Sequence, residues 1–342
     1  MAALTQAIPQ PAARLGSRWI ITRGIDLAFV IGAALAGYVY LVLNVALHVP
    51  ISLLWWFWSV GFDGTHIFGT ASRTFFDGQA RRSRRALLFG SAAFFFTLGP
   101  AMVLMGGKAL LALIVAVWAY YHVIRQHYGF MVLYKVKNRD TAKLDNFLDR
   151  WFLGVMTVFP PFLRFFVRHP EEIRTPISFP RLEPFLWALV AATVVVYMGR
   201  QVARFRRGDP LNLPKFLLFA GVIPLHWLTF AYMSWLGAVP TVTIVHNLQY
   251  HALIWFHNRN RYGGTDGDSH GRLPTAVSRS LLTYVLVALA FSALYRVPGF
   301  HLGQASDLAF GFFCGFGLTH YYLDSRIWRV RHDPELRHAL QL

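Results

Sequence analysis

The sequence predicts an all-α fold: a polytopic transmembrane helical bundle of eight to ten spans. Three observations lead there. Of 342 residues, 55% are hydrophobic and only 14% are charged, against roughly 25% charged in an ordinary globular chain. So few charges cannot wet the surface of a soluble domain of this size. The apolar residues gather in runs that approach the roughly 20 residues a helix needs to cross a bilayer. The basic residues, 33 Lys and Arg against 16 Asp and Glu for a net charge of +17, fall in short clusters between those runs. Arg81-Arg82-Ser83-Arg84-Arg85 and Arg204-Phe205-Arg206-Arg207 are two of them. Such clusters are what a positive-inside bias produces, with anionic lipid headgroups as partners, and they argue against nucleic acid as a partner.

Taken in chain order, residues 1–26 form a polar N-terminal segment containing Pro9 and Pro11, and no cleavable signal peptide is expected. A single transmembrane domain then covers 27–325. Its first span is 27–48, and Pro50 turns the chain into a second at 51–69. The third, 86–105, is joined through Gly106-Gly107 to the fourth, 110–133. Two short spans follow at 152–166 and 184–197. The hairpin 216–235 and 239–256 turns across Gly237 and Pro240, and the last pair is 280–295 and 308–323. Residues 326–342 are expected to be a tail in water, and 263–271 (GGTDGDSHG) a flexible loop. On this scheme six Lys and Arg occupy the odd-to-even turns (Lys108, Arg164, Arg168, Arg174, Arg181 and Arg296), Arg125 lies in a span, and the other 26 fall on the opposite side. That split predicts an inner- or plasma-membrane protein with both termini cytoplasmic. Trp55, Trp56 and Trp58 suit an aromatic belt at the other interface.

The single cysteine, Cys314, excludes an internal disulfide and any iron–sulfur or thiolate zinc site made by this chain alone. The 14 histidines are the conspicuous polar feature. Span two ends Asp63-Gly-Thr-His66. Span four carries Tyr121-His122-Val-Ile-Arg125-Gln126-His127. Span eight carries His246-Asn247-Leu-Gln-Tyr250-His251, with His257 at its exit, and span ten carries His320-Tyr321-Tyr322-Leu-Asp324. Six imidazoles and two carboxylates thus arrive on four helices at about one depth. Ionisable groups inside a span are costly unless paired or ligating. His48, His169, His226, His270, His301, His332 and His338 lie at other helix ends or in loops and read as ordinary.

Spacing limits what these groups can do. At about 100° per residue, His320 and Asp324 lie about 40° apart on one face, and Asp63 and His66 about 60° apart. His122/His127 and His246/His251 lie about 140° apart in a regular helix, and both members of such a pair face one centre only across a π-type turn or between helices. Imidazole and carboxylate without thiolate suit Fe, Mn, Cu or Zn.

His122–His127 and His246–His251 resemble the His-x4-His form of the histidine boxes in membrane-bound non-haem iron oxygenases, the fatty-acid desaturases, hydroxylases and alkane monooxygenases. The chain has no His-His doublet, which that family usually shows. The His-x3-Asp element at His320–Asp324 is similar to those of the bacterial carotene-cleaving dioxygenases. The resemblance implies an iron centre, most simply two Fe per chain or else one, that oxidises an apolar or lipid substrate with O2 and takes electrons from a donor protein where the reaction needs them. It implies His66, His122, His127, His246, His251 and His320 as ligands, with Asp63 and Asp324 bridging or orienting. Tyr121 and Tyr250 would act at the centre, with His257, Arg125, Gln126 and Asn247 around the ligands. Two alternatives stay open on the residues alone: a haem-binding electron carrier using two axial histidines, and a transporter using intramembrane His and Asp.

Overall fold

The computed structural model describes residues 15–173, 177–263 and 270–342. Ten long helical segments account for most of it: α1 (Arg23–Ala46), α2 (51–73), α3 (Arg85–Leu104), α4 (Lys108–Lys137), α5 (Lys143–Arg168), α6 (Pro180–Arg206), α7 (Leu213–Tyr232), α8 (Trp235–Tyr262), α9 (Leu281–Ala305) and α10 (Asp307–Ile327). Among the described residues the only sheet is a two-residue parallel pairing of Leu15–Gly16 with Leu211–Asn212. Most of the expected loop at 263–271 lies outside the described residues.

Seven of the ten, α1, α3 to α7 and α9, are long and apolar enough to cross a membrane. Their outer faces carry exposed Leu35, Leu104, Phe185, Val195 and Leu294, which lipid satisfies and water would not. The chain is a membrane protein. The short expected spans at 152–166 and 184–197 emerge as the much longer α5 and α6, which extend through Asp145, Asp149 and Arg200. Arg200 bonds the Asp145 carboxylate.

The three long helices that miss the apolar standard are α2, α8 and α10, each read from sequence as a firm span. The reason is local: these helices carry His66, His246 and His320. Their polar residues serve the interior of the bundle and not lipid. From Pro240 to Asn247 every residue of α8 is buried, and the helix packs against α1, α2, α4 and α7. A helix buried all round sits at the centre.

Two features fix the packing of the surrounding helices. Gly99 of α3 and Gly311 of α10 allow backbone contact, since a Cβ on Gly99 would lie 2.0 Å from the Gly311 carbonyl oxygen. Small residues at such crossings are the usual device for close helix packing in a membrane. At the far end of α4 to α7 a buried ion network forms. Lys215 Nζ lies 2.9 Å from Asp149 Oδ1 and 3.0 Å from Asp140 Oδ2, Lys135 pairs with both carboxylates, and Tyr197 donates to Asp149 at 2.8 Å. Burial alone would raise the Asp140 carboxyl, but Lys215 and Lys135 hold it below the usual carboxylate range.

Two expectations change here. Arg296, counted in a turn, lies within α9, because that helix runs through Pro298 to Ala305, and Arg164 and Arg168, counted likewise, lie in the last turns of α5. The C-terminal tail carries a helix, Pro334–Ala339, whose Leu336 is buried in the main core together with Leu340, while His332 and His338 remain exposed as expected.

Candidate metal centre

Three helices, α2, α4 and α10, converge on α8. On α2 the turn Ser59–Asp63 is π-helical and hands over to a regular helix at Gly64. π turns of this kind are frequent at functional sites. His66 then meets His246 of α8 and His320 of α10, with ring centroids 5.1 and 4.5 Å away. His122 of α4 closes the group, 4.9 Å from both His246 and His320. All four imidazoles are buried. The Asp324 carboxylate stands beside them, with Oδ2 3.8 Å from His122 Nε2 and Oδ1 3.8 Å from His320 Nδ1. Two ligand triads result, His66/His246/His320 and His122/His320/Asp324, each with its ligand atoms within 4.8 Å of one another.

Hydrogen-bond accounting assigns the imidazole tautomers. His66 Nδ1 lies 2.5 Å from the Asp63 carbonyl oxygen, an acceptor only, so Nδ1 carries the proton and Nε2 is bare. Thr70 has one hydroxyl hydrogen and donates it to Asp324 Oδ1 at 2.6 Å. With the Tyr250 hydroxyl hydrogen also directed to Asp324 Oδ1, the 2.8 Å contact of Thr70 with His320 Nδ1 requires N–H on the ring, which leaves His320 Nε2 bare as well. These two bare nitrogens face each other at 2.9 Å. Two lone pairs at that distance repel unless a shared proton joins them or both bind one metal ion, whose bonds of about 2.0–2.1 Å to nitrogen place neighbouring ligand atoms about 3 Å apart. Among the described residues His122 Nε2 and His246 Nδ1 also have no hydrogen-bond partner although they are buried, and a buried carboxylate needs a positive partner. The donor set fits a metal ion.

Tyr250, four residues after His246, donates to Asp324 Oδ1 at 2.9 Å and lies 2.7 Å from Thr70 Oγ1. Asp63 differs from expectation. Its carbonyl holds His66, while its carboxylate is paired with Arg296.

The structure does not bring His127 and His251 to this group. Both α4 and α8 are regular α-helix through their boxes, so a five-residue step carries the second imidazole to another face. His127 Nδ1 lies 3.1 Å from Gln249 Oε1, and its ring packs against His226. His251 has Thr65 Oγ1 3.0 Å from Nε2 and Tyr284 OH 2.9 Å from Nδ1, so both its nitrogens are engaged. His257 pairs with Asn258 at 2.9 Å near the exit of α8. Tyr121 is 57% exposed and turned away; Tyr321 takes the place beside His122 instead, with ring centroids 5.0 Å apart. Tyr322 packs on Phe95. Arg125 is exposed and lies over the Tyr128 ring. Gln126 donates to the His246 carbonyl at 2.7 Å, fixing the backbone at that ligand. The Asn247 amide is buried without a partner among the described residues.

Sequence reasoning missed Thr70 and His226. Thr70 had a usable signal: Asp63, His66 and Thr70 follow the i, i+3, i+7 spacing of one helix face. His226 had none, because nothing in its segment indicates that its Nδ1 meets Tyr120 OH at 2.7 Å. Comparison with known proteins adds no name to the site: no family model, no curated protein and no solved structure matches this chain.

Proposed function

We propose that this chain is an integral-membrane, non-haem iron oxygenase acting on an apolar substrate. The observation that carries the metal centre is the 2.9 Å approach of His66 Nε2 and His320 Nε2, both buried and both bare in the tautomers assigned above. Four imidazoles and one carboxylate without thiolate suit iron among the first-row metals, and the histidine-box resemblance implies the same metal. His66, His122, His246, His320 and Asp324 would hold it. His320 belongs to both triads but has one free nitrogen, because Thr70 holds the other. That supports one ion per chain in preference to two.

Bound iron would supply the redox chemistry that activates O2. The chain's own contribution is positioning: Thr70 and Tyr250 anchor Asp324, the Asp63 carbonyl fixes His66, and the surrounding helices keep water out. Ring centroids 4.5 to 5.1 Å apart among four histidines leave no space for a porphyrin, which disfavours a haem carrier. The substrate would enter from the bilayer, and electrons, where the reaction needs them, would come from a separate donor protein.

We also propose that all ten long helices cross the bilayer with both termini cytoplasmic, so that the basic clusters face anionic headgroups. Elemental analysis of detergent-purified protein tests the metal centre. About one transition-metal ion per wild-type chain is expected on this donor set, with loss in His320→Ala; a wild-type chain that purifies folded and metal-free overturns the proposal.

A further inference from the structure

Beyond the metal centre, a chamber of about 480 Å³ lies among α2, α4, α7, α8, α9 and α10. Its wall runs from Trp55 to Asp63 on α2 and from Phe310 to Tyr321 on α10, a depth of about 12 to 16 Å at the helical rise. Aromatic rings and small side chains, such as Ala112, Ala116 and Ala119 on α4, make up most of it. Its inner end meets the metal centre: Asp63 holds His66 through its carbonyl, and Tyr321 packs on His122.

The wall is not uniformly apolar. Trp58 Nε1, Tyr295 OH and Arg296 Nε are buried, have no hydrogen-bond partner among the described residues, and belong to residues lining this chamber. Trp58 and Tyr295 are only 5% and 7% exposed. Buried polar atoms are normally satisfied, and each one that is not calls for an explanation. The indole and the guanidinium nitrogens can only donate, so their missing partner is an acceptor. The acceptor is uncharged, because the Arg296 charge is already matched by Asp63, and a second carboxylate would face the first.

We propose that the chamber binds a medium-length apolar chain carrying an uncharged oxygen acceptor, such as an ester or ketone, with the oxygen held by one of the unpartnered donors Trp58 Nε1, Tyr295 OH or Arg296 Nε. That this molecule is the substrate rests on the metal-oxygenase function proposed above; that it binds does not. Volume and lining are those of a small-molecule site, an apolar cavity with a few placed polar groups. A site built to hydrogen-bond an oxygen rejects the analogue that lacks it.

Equilibrium binding of radiolabelled methyl dodecanoate to the full chain, purified in a steroid detergent, tests this, with dodecane and dodecanoate as competitors. Methyl dodecanoate should bind at least about tenfold more tightly than either competitor, as expected for the loss of one or two hydrogen bonds. Trp58→Phe with Tyr295→Phe, which keeps the chamber's shape, should erase most of the preference over dodecane. Ala116→Phe should fill the chamber and abolish binding of both. Equal affinity for ester and alkane, or a preference untouched by the Trp58/Tyr295 double variant, overturns the proposal and makes the chamber a resting place for lipid tails. The same titration on His320→Ala separates the two proposals: ester binding retained in a metal-free chain leaves the chamber standing whatever becomes of the oxygenase.

Discussion

Replacing Thr70 by valine removes one oxygen and keeps the shape of the side chain, and its effect can be worked out from three contacts. Thr70 Oγ1 donates to Asp324 at 2.6 Å, receives from His320 Nδ1 at 2.8 Å and lies 2.7 Å from Tyr250 OH. Valine leaves the buried carboxylate one donor short, a loss of roughly 1.5–3 kcal/mol for a hydrogen bond to a charged group. It also frees the His320 ring to change tautomer, so that Nε2 no longer has to present a lone pair to the centre. Losing an orienting partner of this kind lowers metal affinity by about 10–100-fold. Thr70→Ser restores the hydroxyl and should recover most of that affinity. Competition titration against a chelator, with bound metal measured after each step, gives the affinities; thermal unfolding in detergent gives the stability term. A Thr70→Val protein that binds metal as tightly as wild type would refute the tautomer assignment and the bare-nitrogen pair that follows from it.

Three further outcomes follow from the same geometry. His122→Ala should remove bound metal, whereas His251→Gln, at a ring whose nitrogens are both taken by Thr65 and Tyr284, should leave metal content near wild type; elemental analysis of both variants reads the difference. Lys215→Met should take one charged donor from each of Asp149 and Asp140, which keep Lys135, and destabilise the protein by about 1.5–3 kcal/mol for each charged hydrogen bond lost, read as the shift of unfolding in detergent. Because the Asp140 carboxyl is held below its usual range, its contribution to stability is present at neutral pH and lost as pH falls through the lowered value, and the variant should show less of that acid loss than wild type. A single cysteine placed in the 263–271 loop of a Cys314→Ser protein should react with an impermeant maleimide only in inside-out vesicles; labelling of intact cells would invert the proposed topology.

All ten helical segments were legible in the sequence because apolar runs and the Pro and Gly turns between them are local signals. Helix ends were less so: Arg296 continues α9 to meet Asp63, a long-range ion pair that no window of sequence contains. The site was legible in part for the same reason. His66, His122, His246, His320 and Asp324 share a depth that topology predicts, and they do meet. His127 and His251 could not be placed by spacing, since a five-residue step changes face or not according to whether a π turn intervenes. Among the described residues the only π turn close to the imidazole cluster in sequence is in α2, at Ser59–Asp63. Thr70 escaped notice because a helical threonine usually bonds its own backbone, as Thr74 does to the Thr70 carbonyl.

The central claim is that His66 and His320 present bare nitrogens to one ion, and metal-to-protein stoichiometry of the detergent-purified wild-type chain tests it most directly. We expect about one transition-metal ion per chain, in keeping with a single cluster of four imidazoles and one carboxylate. Folded protein with no stoichiometric metal, after growth with ample iron, would mean that a shared proton occupies the gap between His66 and His320, and would contradict the claim.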